Sequence, residues 1–120
     1  MNFTSFLLVG AGGALGSMLR YGVALAPVNK LFPFHTFIVN ILGSFFIGAL
    51  MGLLLKNVIT NDGWKFLATG VCGGFTTFSA LSLEGMELLQ QHRYGIFAVY
   101  FVLSIALGLG ATLLGFTLTK

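Results

Sequence analysis

Four long apolar segments, separated by short polar connectors, constrain the fold of this chain more than any other feature. They are residues 3–26, 34–55, 64–89 and 94–117, and each can supply the roughly 20 residues that a membrane-spanning helix needs. Of the 120 residues, 57% are hydrophobic and 8% are charged, and a small water-soluble domain cannot bury so much apolar surface. The sequence therefore predicts an all-α membrane protein in which residues 1–120 form a single domain of four transmembrane helices.

The third apolar segment carries an interruption near its middle. The glycine pair Gly73 and Gly74 is followed by Phe75 and then by the threonine pair Thr76 and Thr77. Backbone that leaves a helix at membrane depth is tolerated only where protein or a water-filled path covers its polar groups. A discontinuous membrane helix therefore points to an ion or substrate site. We expect the third helix to be broken over these five residues.

Glycines recur four positions apart in three of the segments. The pairs are Gly12/Gly16, Gly48/Gly52 and Gly70/Gly74. In lipid, such pairs let the backbones of two helices approach closely. They predict contacts between helices and need no functional explanation, except that the last pair adjoins the interruption.

The basic residues are nearly balanced across the predicted membrane. The side shared by both termini carries Lys56, Lys65 and Lys120, and the other side carries Lys30 and Arg93, with Arg20 on its flank. This balance gives almost no positive-inside bias, so the chain is expected to insert in either orientation. Four short helices can hardly enclose a path alone, which favours pairing with a second, antiparallel subunit. Because the basic residues are scattered singly, they form no patch for nucleic acid.

Polar and aromatic side chains inside the segments suggest an anion path. Asn40 lies within the second segment, where its amide either makes an interhelical hydrogen bond or offers an NH₂ donor to a passing anion. Ser79 and Ser82 stand one turn apart after the interruption, although membrane serines often bond their own helix carbonyls. Phe75 and Phe78 flank the interruption, and the edge of a phenylalanine ring is its positive end. Such uncharged donors bind weakly enough to release a small anion quickly.

Three ordered motifs give the chain a specific resemblance. They are residues 12–21 (GGALGSMLRY), 36–45 (TFIVNILGSF) and 70–79 (GVCGGFTTFS). They are similar to the glycine-rich Arg-Tyr opening, the Thr-Leu-x-Val-Asn-x-x-Gly-Ser/Cys-Phe pattern and the Gly-x-x-Gly-Gly-x-Thr-Thr-Phe-Ser signature of the CrcB/Fluc fluoride channels. The resemblance implies a fluoride-specific ion channel that exports cytoplasmic fluoride passively and so lowers its toxicity. It also implies an antiparallel, dual-topology dimer in the plasma membrane, expected to be a bacterial inner membrane.

The resemblance further implies which residues bind sodium, line the pore and form the vestibule. A structural sodium ion at the dimer interface would be held by the backbone carbonyls of Gly73 and Thr76 from each subunit, and no organic cofactor is expected. Hard cations accept oxygen ligands of this kind. The residues implied to line the fluoride pore are Asn40, Phe78, Ser79, Leu81, Ser82 and Tyr100. Arg20 and Glu84 are implied to lie in the vestibule.

The chain departs from the family pattern one turn after the signature. The family usually continues Thr-Thr-Phe-Ser-Thr-Phe-Ser, whereas this chain has Ala80 and Leu81 at the second threonine and second phenylalanine positions. Alanine lacks the hydroxyl, and leucine fills volume without offering a positive ring edge. An alternative is therefore a subunit of a heterodimeric fluoride channel with one degenerate pore.

Two other function classes fit less well. A small multidrug-type exporter coupled to protons needs a carboxylate buried in the membrane, and the first two segments contain neither Asp nor Glu. An enzyme is not expected, because the sequence contains no Ser-His-Asp or metal-ligand pattern. His35 and His92 are expected to be interfacial side chains.

Overall fold

The computed structural model describes residues 3–120, and the regular structure in this range is helical. The elements are α1 (Phe3–Ala24), α2 (Phe34–Leu55), α3 (Asn61–Trp64), a π-helix (Lys65–Cys72), α4 (Gly73–Phe75), α5 (Phe78–Gln90) and α6 (Tyr94–Thr119). Four helical stretches are long and apolar enough to cross a membrane, namely Phe3–Ala24, Phe34–Leu55, Asn61–Gln90 and Tyr94–Thr119. The prediction of an all-α protein with four membrane spans is confirmed, and the protein is a multi-pass membrane protein.

The ends of the spans follow local backbone chemistry. Helix α1 ends at Ala24 rather than near Ala26, because the residue before a proline avoids the helical region and Pro27 follows. The third span begins at Asn61 rather than Trp64. Thr60 precedes it as an N-cap whose Oγ1 accepts a hydrogen bond from the Gly63 amide at 3.0 Å, which satisfies one of the free donors of the first turn.

Helices α2 and α6 pack closely along their length. A Cβ atom added at Gly48 would lie 2.0 Å from the carbonyl oxygen of Thr112, and one added at Gly115 would lie 2.1 Å from that of Phe45. The Thr112 hydroxyl also donates to the Ser44 carbonyl at 2.9 Å. Small residues at these positions bring the two backbones together, as membrane helix interfaces require.

Helix α1 packs in the same way against the π-helix. A Cβ atom at Gly12 would lie 2.3 Å from the Phe66 carbonyl oxygen, and one at Gly16 would lie 2.1 Å from that of Val71. A π-helix is rare, and it is found most often near functional sites. This one leads directly into α4 and the two threonines that follow it. No pattern in the sequence predicts it.

A small aromatic core joins α2, α5 and α6 at one end of the molecule. Tyr100 is fully buried, and Leu81 and Leu88 are buried beside it. The Tyr100 ring meets the Phe32 ring edge-on, with centroids 5.3 Å apart, a favoured arrangement for aromatic pairs. This core fixes α5 relative to α6 and so sets the position of the residues that follow Thr77.

Candidate ion pathway

Two adjacent threonines leave the helical conformation in the third span. Thr76 has φ −87° and ψ 158°, and Thr77 has φ −153° and ψ 117°, both in the extended region. The two glycines before them, Gly73 and Gly74, are helical within α4. The departure from helical geometry therefore falls on the threonines, near the middle of the third span Asn61–Gln90.

The polar groups of this extended pair find partners within the chain. The Thr77 amide donates to Asn40 Oδ1 at 2.8 Å, and Asn40 Nδ2 donates to the Thr77 carbonyl at 3.2 Å. The amide and the hydroxyl of Thr76 both donate to the Cys72 carbonyl at 3.0 Å. The Asn40 amide thus makes interhelical hydrogen bonds, which was one of its two interpretations, and it satisfies backbone groups that lipid would leave unpaired.

Thr77 also starts the next helix. Its Oγ1 accepts a hydrogen bond from the Ala80 amide at 3.1 Å, as an N-cap residue does. The same hydroxyl lies 3.0 Å from Ser79 Oγ. Thr77 therefore holds the first turn of α5 by its side chain while its backbone is held by Asn40.

Arg20 reaches the end of the short helix α4. Its Nε donates to the Gly74 carbonyl at 3.1 Å. The C-terminal end of a helix carries partial negative charge, so a guanidinium there is stabilising. The structure therefore places this positive charge against the interrupted span.

Three cavities lie in a row and share residues at their borders. The central cavity, of about 270 Å³, is lined by residues that include Asn40, Thr76, Thr77 and Phe78. The inner cavity, of about 200 Å³, shares Thr77 with it and is also lined by Arg20.

The outer cavity, of about 260 Å³, completes the row. It is lined by Glu84, Glu87, Lys30 and Arg93, and it shares His35 with the inner cavity. The row therefore runs from a charged mouth, past His35 and Arg20, to the interrupted span. The lining of each cavity combines apolar side chains with a few polar or charged ones.

Hydrogen bonds tie the mouth of this row together. The Thr36 hydroxyl donates to Glu84 Oε1 at 2.5 Å and joins α2 to α5. Arg93 donates to the Leu31 carbonyl and joins the connection before α6 to the one before α2. Sequence reasoning did not pair Thr36 with Glu84, because residues 48 positions apart show no local pattern.

The residues predicted to line the pore differ in their exposure. Phe78 is 77% exposed, and Ser79 and Ser82 are also exposed. Leu81 and Tyr100 are instead buried in the aromatic core, at 8% and 0% exposure. Asn40 is partly buried and borders the central cavity. Within one chain, the structure brings Asn40, Leu81 and Phe78 to the same cavity, and it leaves Tyr100 among the rings of its own core.

Comparison with known proteins identifies close relatives. The model of the family described as CrcB-like protein, Camphor Resistance (CrcB), matches residues 7–116. A protein of Azobacteroides pseudotrichonymphae named fluoride-specific ion channel FluC is 48% identical over 117 residues, covering 94% of each chain. A protein of the same name from Thermus thermophilus is 47% identical over 94% of this chain and 93% of its own. The fluoride-specific ion channel FluC 1 of Listeria monocytogenes is 43% identical over 95% and 96% of the two chains.

Proposed function

The chain belongs to the CrcB-like protein family, and on that premise we propose that it is a fluoride-specific ion channel that lets cytoplasmic fluoride leave the cell down its gradient. Relatives that match it almost from end to end carry the name of such a channel. The observation that carries the proposal for this chain is the row of three cavities that ends at Thr76 and Thr77. The names of the relatives favour neither the heterodimeric subunit nor the proton-coupled exporter.

The proposed route uses partial charges more than full ones. Asn40, Phe78, Ser79 and Ser82 would offer an amide, a ring edge and hydroxyl groups near the central cavity. Leu81 lines that cavity, and Tyr100 would support Leu81 from the aromatic core behind it. Binding to such groups is weak enough for an ion to leave again. Arg20 and Glu84 would set the electrostatic field of the vestibule that leads there.

We propose that a second copy of the chain, in antiparallel orientation, completes the pathway. Phe78 is 77% exposed and Ser79 and Ser82 are exposed beside it. This face adjoins the extended backbone of Thr76 and Thr77, and non-helical backbone within a membrane span is tolerated only where protein or a water-filled path covers it. A partner subunit would cover the face, and the balanced basic residues permit opposite insertion. The expected membrane is the plasma membrane, which in a bacterium is the inner membrane.

We propose that the carbonyls of Gly73 and Thr76 would hold a structural sodium ion at the proposed dimer interface. The Thr77 amide, which would bond the Gly73 carbonyl in a continuous helix, donates instead to Asn40. The Gly74 carbonyl is already occupied by Arg20. The Gly73 and Thr76 oxygens are uncharged, hard ligands of the kind that alkali and alkaline-earth cations accept. Bound there, sodium would supply the charge that holds the two interrupted spans together.

Fluoride efflux from vesicles tests the proposed function. The purified chain is reconstituted in liposomes loaded with potassium fluoride, and efflux is followed with a fluoride electrode after a potassium ionophore is added. We expect fluoride efflux and no chloride efflux from the same vesicles. Absence of fluoride efflux from the chain alone would contradict the homodimeric channel, and recovery of efflux only with a second, different subunit would support the heterodimer.

A further inference from the structure

His35 stands where the outer and inner cavities meet. It belongs to the first turn of α2 and lines both cavities. Its Nε2 lies 2.7 Å from the carbonyl oxygen of Ala26. Because a carbonyl can only accept, the hydrogen-bond network places the ring proton on Nε2. The Nδ1 atom is then the position at which the ring gains a second proton and a positive charge.

The two cavities that share His35 differ in the charge of their lining. The outer cavity contains Glu84 and Glu87 as well as cationic side chains. The inner cavity is lined by Arg20, Tyr21 and Thr36 and has no carboxylate among its described lining residues. An anion that enters the inner cavity from the outer one therefore passes the two glutamates before it reaches hydrogen-bond donors such as Arg20 and Thr36.

Glu84 is the anionic group held closest to this junction by a hydrogen bond. Its carboxylate accepts from Thr36, the residue next to His35. A carboxylate beside the route of an anion repels it, and a positive charge at the same place offsets that repulsion. Histidine is the side chain that ordinarily changes charge between about pH 5 and about pH 8.

We propose that His35 is an anion-recruiting residue of the pathway, which in its protonated form draws fluoride past Glu84 into the inner cavity. The inference rests on the proposed fluoride channel. Other charged or titratable groups also face this junction: Arg20 and Tyr21 from α1, Lys30 from the connection to α2, Glu84 and Glu87 from α5, and Arg93 before α6. A substitution at His35 alone leaves all of these in place.

The test compares the pH dependence of fluoride efflux between the unaltered chain and His35→Gln. Glutamine keeps an N–H donor for the Ala26 carbonyl but cannot become charged. At a fixed fluoride concentration, with equal pH on both sides and protein-free vesicles as background, we expect efflux of the unaltered chain to rise at least about twofold between about pH 8 and about pH 5.5. The His35→Gln variant should show a flat profile.

His92→Asn is the matched control, since it removes the other histidine. His92 bonds Tyr94 and lines none of the three cavities. Its φ of 57° is one that asparagine tolerates. This variant should keep the pH profile of the unaltered chain. His35→Arg, which carries a permanent charge, should show high efflux across the whole pH range and keeps the test decisive if the glutamine variant does not fold.

The outcomes separate this inference from the proposed function. A rise in efflux that is the same in the unaltered chain and in His35→Gln overturns the role of His35 but leaves the fluoride channel standing. Low efflux from a folded His35→Arg at every pH also overturns it. Absence of fluoride efflux from all variants and from the unaltered chain refutes the channel itself.

Discussion

Asn40 and Thr77 exchange two hydrogen bonds across 37 positions of sequence, so that one side-chain amide satisfies both backbone groups of an extended residue in the third span. Asn40 Oδ1 accepts a hydrogen bond from the Thr77 N–H, and Asn40 Nδ2 donates one to the Thr77 carbonyl. These two hydrogen bonds replace the backbone hydrogen bonds that Thr77 would make in a continuous helix.

Replacing Asn40 with leucine should destabilise the folded chain. Leucine has nearly the same size but no polar atoms, so the N–H and the C=O of Thr77 would both be left unpaired in a partly buried site. Each such group costs about 1–3 kcal/mol. The free energy of unfolding, measured by titration with a denaturing detergent in mixed micelles, should fall by about 2 kcal/mol or more. Asn61→Leu, at an exposed amide, is the control, and equal losses in the two variants would argue against the pairing.

Thr77→Ala should weaken the start of α5. The substitution removes the hydroxyl that accepts from the Ala80 amide, and the loss of such an N-cap costs about 1 kcal/mol. Thr77→Ser keeps the hydroxyl and should recover most of the stability. Hydrogen exchange at the Ala80 amide reports the effect directly. If serine and alanine give equal exchange rates, the side chain is not the cap.

Gly16→Ala should separate α1 from the third span. Its methyl group would lie 2.1 Å from the Val71 carbonyl oxygen and 2.8 Å from the Phe75 amide nitrogen. Both are backbone atoms, so no change of side-chain rotamer can relieve the clash. Overpacking of this kind costs about 1–3 kcal/mol. Gly22→Ala is the matched control in the same helix, since its added methyl would meet no atom of another helix within 4 Å. Thermal unfolding of the two variants in detergent should differ, with only the first lowered.

Phe78→Ile should abolish fluoride efflux while leaving the proposed dimer intact. Isoleucine fills a similar volume but lacks the positive ring edge that can face an anion. Efflux and the molecular mass in detergent would be measured on the same preparation. Phe6→Ile changes another exposed phenylalanine, on α1, and should leave efflux unchanged. Normal efflux from Phe78→Ile would remove this ring from the pathway.

Sequence analysis predicts the parts of this protein that depend on local composition. Hydropathy over windows of membrane length locates the four spans, and the glycine pairs mark contacts such as Gly12 with the π-helix. The π-helix itself is not predictable in this way, since nothing in residues 65–72 distinguishes its hydrogen bonding from that of an α-helix.

The candidate site depends instead on contacts between distant positions. His35 reads as an interfacial side chain in the sequence, and only the packing of α2 beside α1 and α5 places it between two cavities. The link between Thr36 and Glu84 spans 48 positions and has the same origin. Resemblance to family motifs can single out individual residues such as Glu84, whereas their hydrogen-bond partners follow only from tertiary packing.

The π-helix determines in which direction about the helix axis the later residues of the third span point. In a π-helix each hydrogen bond joins residues five positions apart, one more than in an α-helix, so the bonded loop contains one extra residue. One residue corresponds to about 100° of rotation about the helix axis. Deleting a single residue between Lys65 and Cys72 would therefore turn Thr77 about a quarter of a revolution away from Asn40, even with every other residue unchanged. The orientation of Thr77 toward Asn40 therefore depends on the number of residues in the π-helix, and not only on the chemistry of the two side chains.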